Sequence, residues 1–109
     1  MIHITVAPKK YQIRIKGHAH YDEPGKDIVC ASCSMVFYNL AQMIHMYDQD
    51  KAFCKRPKMI YDKGKGYIEV IPRQEYEPWI QHDFVYATAG FKMLAAQYPD
   101  FVDLKMTEY

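Results

Sequence analysis

The spacing of apolar residues changes once early in this chain, and that change constrains its architecture. Ile2, Ile4 and Val6 alternate with polar neighbours, as do Tyr11, Ile13 and Ile15, which is the period of half-buried strands. From Val29 onward the apolar positions Val29, Cys33, Val36, Leu40, Ile44 and Tyr47 follow helical spacing and predict a buried stripe. Between the two periods lies a polar loop, Ala19 to Lys26, whose Pro24-Gly25 pair forbids regular structure. A chain that turns from strand to helix across such a break must build its core from both element types.

The remaining elements follow from the same reasoning. Pro8-Lys9-Lys10 separates the two alternating segments, so they read as a hairpin. The first helix runs from Ile28 to about Tyr47, with Asp27 as N-cap because its carboxylate can accept from the amides of Val29 and Cys30. Lys51 to Pro57 is a loop, and Met59 to Tyr61 and Tyr67 to Ile71 are strands around a turn from Asp62 to Gly66. Pro78 suits the first position of a second helix, whose stripe is Ile80, Phe84, Ala87, Phe91, Leu94 and Tyr98 before Pro99 stops it. Alternation from Phe101 to Met106 gives a closing strand. The expected fold is α+β: a two-layer sandwich of one mainly antiparallel sheet and two helices, in the order ββαββαβ, with residues 1–109 as a single domain.

Composition removes several function classes. A formal charge of +1 gives no overall field to draw in nucleic acid or an anionic membrane, and Lys55-Arg56 and Lys63 to Lys65 read as solvated turn residues. No uninterrupted apolar run reaches the roughly 20 residues of a bilayer span, and the alternating N-terminus is unlike a signal peptide. Three cysteines, Cys30, Cys33 and Cys54, make an odd set without a disulfide framework, which fits a reducing cytoplasm.

Chemistry is concentrated at the two ends of the polar loop. His18 closes the second strand and Cys30 falls at the third helical position after Asp27. Unpaired first-turn amides and the helix dipole favour negative charge on a sulfur placed there. His18 can take the thiol proton and later return one to a departing amine, while amides of the turn containing Cys30 can hold an oxyanion. Ser34 lies one turn beyond Cys30 on the same face, where its hydroxyl either orients a group in the site or bonds back to a helix carbonyl. Asp27 either caps the helix, orients His18, or does both. The residues Ala19, His20, Tyr21, Asp22, Glu23, Pro24, Gly25 and Lys26 suit a movable flap better than a packed segment.

Gly17-His18-Ala19, a short glycine-containing loop, and Asp27-Ile28-Val29-Cys30-Ala31 followed by Ser34 closely resemble the ribosomal-processing cysteine protease family, Prp. The resemblance implies a small cytoplasmic cysteine endopeptidase, homodimeric and needing no cofactor. It implies removal of the N-terminal extension of a large-subunit ribosomal protein, or processing of a phage protein, at a motif with adjacent phenylalanines. The family histidine maps to His18, the nucleophile to Cys30, and the supporting aspartate and serine to Asp27 and Ser34. The loop from Ala19 to Lys26 maps to a segment that orders over bound peptide. The chain departs from the family in carrying Cys33, Pro24 and a second loop histidine, His20.

Three rival readings use the same residues. Cys30-Ala31-Ser32-Cys33 is formally the Cys-x-x-Cys of a thiol–disulfide oxidoreductase, although a loop of eight residues breaks the usual strand–motif–helix order. A metal held by Cys30, Cys33, Cys54 and a histidine has usable ligand types but no common zinc spacing. A non-catalytic peptide-binding module would use His18 and Cys30 only to line a groove. Elsewhere, Met35, Met43 and Met46 fit adaptable packing or a dimer surface, Trp79 reads as a core anchor, and Cys54 as free and incidental. His3, His45 and His82 carry no spacing argument.

Overall fold

The computed structural model describes residues 1–23 and 25–107; Pro24 of the proposed flap therefore lies outside the described residues. The elements are β1 (Ile2–Ala7), β2 (Gln12–Lys16), α1 (Ile28–Gln49), β3 (Lys58–Asp62), β4 (Lys65–Glu69), α2 (Glu77–Gln97) and β5 (Val102–Met106), which is the ββαββαβ order. The five strands form one sheet in the order β3-β4-β2-β1-β5. All neighbours are antiparallel except β1 and β5, which run parallel with Ile4 opposite Leu104. Short 3-10 turns at Pro8–Lys10 and Gln74–Tyr76 are features that apolar periodicity does not report.

The strand directions explain the two layers. From β2 to β3 and from β4 to β5 the chain crosses between parallel strands, in opposite directions along the sheet, and the right-handed rule puts both crossover helices on one face. Burial agrees: Ile2, Ile4 and Val6 of β1 are buried while His3 is exposed, and α1 and α2 contact one another across the covered face. The core there includes Ile13, Ile44, Ile68, Ile80 and Phe91, each fully buried. Truncating Phe91 to alanine is expected to cost about 3–5 kcal/mol through lost transfer energy and the cavity left behind. Among the described residues α1 is the one helix that by length and composition could cross a bilayer, but it buries Val29, Cys33, Phe37, Leu40, Ala41 and Ile44 inside this core.

Several sequence expectations need correction. Phe37, absent from the α1 stripe, is buried, whereas Val36 is only half-buried. The reason lies on both sides of the helix. Val36 faces α2, where a Cβ on Gly90 would come within 3.2 Å of it, and Phe37 turns to the sheet beneath Gly66. The β3–β4 turn is also tighter than expected, because β4 starts at Lys65 and takes Gly66 into the strand opposite Ile15 and Tyr61. A Cβ on Gly66 would sit 2.7 Å from both Ile15 Cγ2 and Phe37 Cζ, so the strand passes there only because that residue has no side chain. Finally, Trp79 is not a core anchor: it is 62% exposed in the first turns of α2, whose inward positions are taken by Ile80 and Phe84.

Candidate active site

β2 ends in Gly17, whose φ of +99° lets the chain leave the sheet toward α1. A Cβ there would lie 2.3 Å from the Met1 carbonyl oxygen, so this exit is closed to larger residues. His18 follows, exposed, and Ala19 is buried, which pins the start of the loop to the body of the protein.

Asp27 fixes the other end. Its Oδ1 accepts from the amides of Val29 at 3.1 Å and Cys30 at 2.9 Å, the geometry of an N-cap. Its Oδ2 accepts from the Tyr21 amide at 3.0 Å, tying loop to helix. Burial opposes ionisation of this carboxyl, but hydrogen bonds from the amides of Cys30, Tyr21 and Asp22 and from the Cys30 side chain outweigh it and hold its pKa below the ordinary value. Among the described residues Asp27 makes no hydrogen bond to His18.

Between these anchors the loop is clipped at one point. The Tyr21 ring meets Phe101 and Tyr98 edge-on, with centroids 5.1 and 5.7 Å apart. Asp22, Glu23, Gly25 and Lys26 lie exposed beyond the clip, with a turn closed by the Lys26 amide on the Glu23 carbonyl at 2.9 Å.

Two clefts meet at Cys30. One, of about 360 Å³, runs toward the β3–β4 hairpin past Phe37, Tyr38 and Tyr61. The other, of about 590 Å³, runs under the loop past His20, Asp22 and Gly25. His18, Cys30 and Ser34 line both. The Cys30 sulfur is half-buried and accepts a hydrogen bond from the Ala19 amide at 3.2 Å. His18 and Cys30 make no hydrogen bond with each other among the described residues; the imidazole lies against the backbone of Gly64 and 5.8 Å, centroid to centroid, from the His20 ring.

The geometry revises two details of the expected chemistry, and Cys33 lies inward as its place on the stripe predicts. The first-turn amides assigned to an oxyanion are already engaged: Val29 and Cys30 donate to the Asp27 carboxylate and Ala31 donates to the Asp27 carbonyl. Ser34 faces the clefts without a hydrogen bond among the described residues, and it is Ser32 that bonds back, to the Ile28 carbonyl at 2.7 Å. Cys33 is 1% exposed, and burial, reinforced by Cys30 and Asp27, pushes its thiol up to about 12. Cys33 is thus packed as a core side chain, the place its stripe position gives it.

The aromatic wall of the first cleft was not recognised in the sequence. Phe37 stacks edge-on with Tyr61 at 5.5 Å and with Tyr38 at 6.0 Å. Tyr38 was findable, since it lies two helical turns beyond Cys30 on the face that carries Ser34. Tyr61 was not, because only strand pairing brings β3 to the site. Among the described residues no group of three or more His, Cys, Asp or Glu side chains is placed to hold a metal ion.

Comparison with known proteins bears on this arrangement. The family model described as cysteine protease Prp matches residues 1–103. No curated protein matches the chain. Among solved structures, the ribosomal processing protease Prp of Staphylococcus aureus with a covalently linked product peptide superposes with a TM-score of 0.78 at 21% identity, over 98% of this chain and 100% of that one. The same protease with a substrate peptide gives 0.70 at 20% identity, with 98% and 100% covered. SMU.848 from Streptococcus mutans gives 0.68 at 23% identity, with 99% and 93% covered.

Proposed function

The chain belongs to the Prp family of cysteine proteases, and from that premise we propose that it is an endopeptidase in which Cys30 is the nucleophile and His18 the proton carrier. The observation that carries the proposal is the junction of two clefts at Cys30, with His18 on the rim of both. A peptide threaded through them presents one carbonyl carbon to the sulfur, with residues on either side of the cut accommodated.

The steps follow from that placement. His18, on the rim of both clefts beside Gly64, accepts the thiol proton, and the sulfur attacks the carbonyl carbon. The tetrahedral intermediate places negative charge on oxygen beside the Ala19 amide, the donor already aimed at the sulfur. Collapse breaks the C–N bond, and the imidazolium gives its proton to the leaving amine, so a thioester remains. Water then loses a proton to His18 and attacks the thioester, and collapse of that intermediate restores the Cys30 thiol as the imidazolium returns its proton. Asp27 supports the site by fixing the helix start and the loop; Ser34 has a hydroxyl free to meet substrate.

The substrate we propose is the N-terminal extension of a large-subunit ribosomal protein, or a phage protein with a similar cleavage sequence, cut in the cytoplasm. The apolar wall of Phe37, Tyr38 and Tyr61 suits aromatic residues beside the cut. A homodimer is also part of the proposal. α2 offers a second apolar seam facing away from the sheet: Trp79, His82, Tyr86, Ala89, Met93 and Ala96, all exposed and spaced by alternating threes and fours.

Incubation with the extended ribosomal protein tests the reading. Wild type should release the extension, and Cys30→Ala and His18→Ala should leave it intact. An intact substrate in every tube removes the ribosomal assignment. Cleavage by Cys30→Ala would overturn the catalytic assignment itself.

A further inference from the structure

We infer that Gly64, at the tip of the β3–β4 hairpin, is a positioning residue for the His18 imidazole, an inference that rests on the catalytic role proposed for His18. Two contacts join the hairpin to the end of β2. The Gly17 amide donates to the Gly64 carbonyl at 2.8 Å, which holds the backbone immediately before His18. The His18 ring lies over Gly64 so closely that a Cβ there would be 2.8 Å from Nε2 and 3.3 Å from Cε1. Gly64 also has a φ of +73°, so the two-residue turn between Asp62 and Lys65 takes the left-handed backbone a glycine adopts without strain.

These contacts matter because His18 is exposed and makes no hydrogen bond with Cys30, so its ring is placed by packing, against Gly64 on one side and near the His20 ring. A flat backbone surface with no side chain stops the imidazole at a fixed distance from the cleft. Any Cβ at position 64 must push Nε2 away, since ordinary contact begins at 3.4 Å. Displacements well below one ångström are large for a proton transfer that depends on alignment. The hairpin tip also lines the cleft with Asp62, Lys63 and Lys65, so a peptide lying in that cleft presses on the element that stops the imidazole.

The test follows iodoacetamide alkylation of Cys30 against pH, with labelled peptides mapped by mass spectrometry because exposed Cys54 also reacts. Gly64→Asn is the main variant, since asparagine tolerates a positive φ and keeps the turn while adding a Cβ. Its alkylation profile is expected to move toward that of His18→Ala, with the rate at pH 6 falling about tenfold or more. Ile80→Val, a core change in α2, controls for stability: it should lower Tm and leave the profile unchanged. A folded Gly64→Asn with the wild-type profile overturns the inference while leaving the dyad in place. If His18→Ala itself labels like wild type, the catalytic reading fails instead. Should the variant not fold, nuclear Overhauser contacts between the Gly64 Hα protons and the His18 ring in the wild-type protein decide the matter, and their absence overturns the inference.

Discussion

The backbone N–H of Ala19 points at the sulfur of Cys30 across 3.2 Å, while the amides of Val29, Cys30 and Ala31 are all held by Asp27. Two residues eleven apart in sequence thus meet as amide donor and sulfur acceptor, and the helix start that carries the sulfur has no spare donor among those three. Burial of the Ala19 side chain fixes the direction of its amide. Replacing Ala19 with lactic acid by chemical ligation deletes this one N–H and nothing else of size. We expect kcat for peptide cleavage to fall about a hundredfold to a thousandfold with KM little changed, the loss associated with one oxyanion donor. Unchanged kcat would show that another amide holds the oxyanion.

Asp27 accepts from the amides of Tyr21, Val29 and Cys30 and from the Cys30 side chain, and makes no hydrogen bond to His18 among the described residues. Asp27→Ala is expected to destabilise the protein by about 1 kcal/mol, the usual cost of a lost N-cap, and Asp27→Asn by much less at neutral pH. Because its folded pKa is depressed, the carboxylate contributes stability that is present above the ordinary value of 3.8 and lost as pH falls through the lower folded value. Urea denaturation in that acidic window should therefore show a shallower loss of stability for Asp27→Asn than for wild type. Parallel curves for the two proteins would mean that the carboxylate charge adds nothing to the fold.

Cys33 separates the peptidase from the redox alternative. Its thiol is sealed among Val29, Phe37 and the β-sheet core, and burial, with Cys30 and Asp27 adding to it, raises its pKa to about 12. In the unfolded chain the thiol ionises near the ordinary value of 9.0, so stability should fall as pH rises from there toward 12, and Cys33→Ala should flatten that fall. The same variant should keep peptidase activity within about twofold after a modest stability loss from the small cavity. Loss of activity in a folded Cys33→Ala would reopen the dithiol reading. In native wild type, mass spectrometry should find alkylation at Cys30 and Cys54 and none at Cys33.

How far the sequence discloses this molecule depends on which contacts are local. The N-cap at Asp27 was readable because a cap joins residues two and three apart, and the strand and helix order because each period is a local property. Phe37 escaped because one residue of shift on a helix is 100°, and Val36 fitted the stripe equally well until Gly90 of α2 claimed its side of the helix. Gly66 read as a turn residue by type, and only the ring of Phe37 pressing on β4 explains its place in a strand. The parallel pairing of β5 with β1 and the approach of Gly64 to His18 are fixed by topology, which no local period encodes. At the site, the two loop ends were legible and the cleft wall was only half so, since Tyr38 shares a helix with Cys30 and Tyr61 does not.

The α2 seam gives the expected dimer a specific geometry. Trp79, His82, Tyr86, Ala89, Met93 and Ala96 form a row of large and small residues whose order, read backward, complements itself. If two copies of α2 pack antiparallel about a twofold axis, Trp79 lies opposite Ala96 of the second copy, Tyr86 opposite Ala89, and His82 opposite Met93. Each bulky side chain then meets a small or flexible one, and the same contacts repeat on both sides, as an isologous interface requires. Tyr86, 71% exposed on the single chain, sits near the centre of this pairing. Tyr86→Lys should therefore give a protein of monomer mass by light scattering where wild type gives a dimer. Ile60→Lys, an exposed apolar site on β3, should not. Trp79 is the one tryptophan in the chain and reports directly on the seam: its emission should shift to the red on dilution of wild type and start red-shifted in Tyr86→Lys. A monomeric wild type would remove the dimer from the proposal, and a dimer whose Trp79 emission ignores both dilution and Tyr86→Lys would place the interface elsewhere.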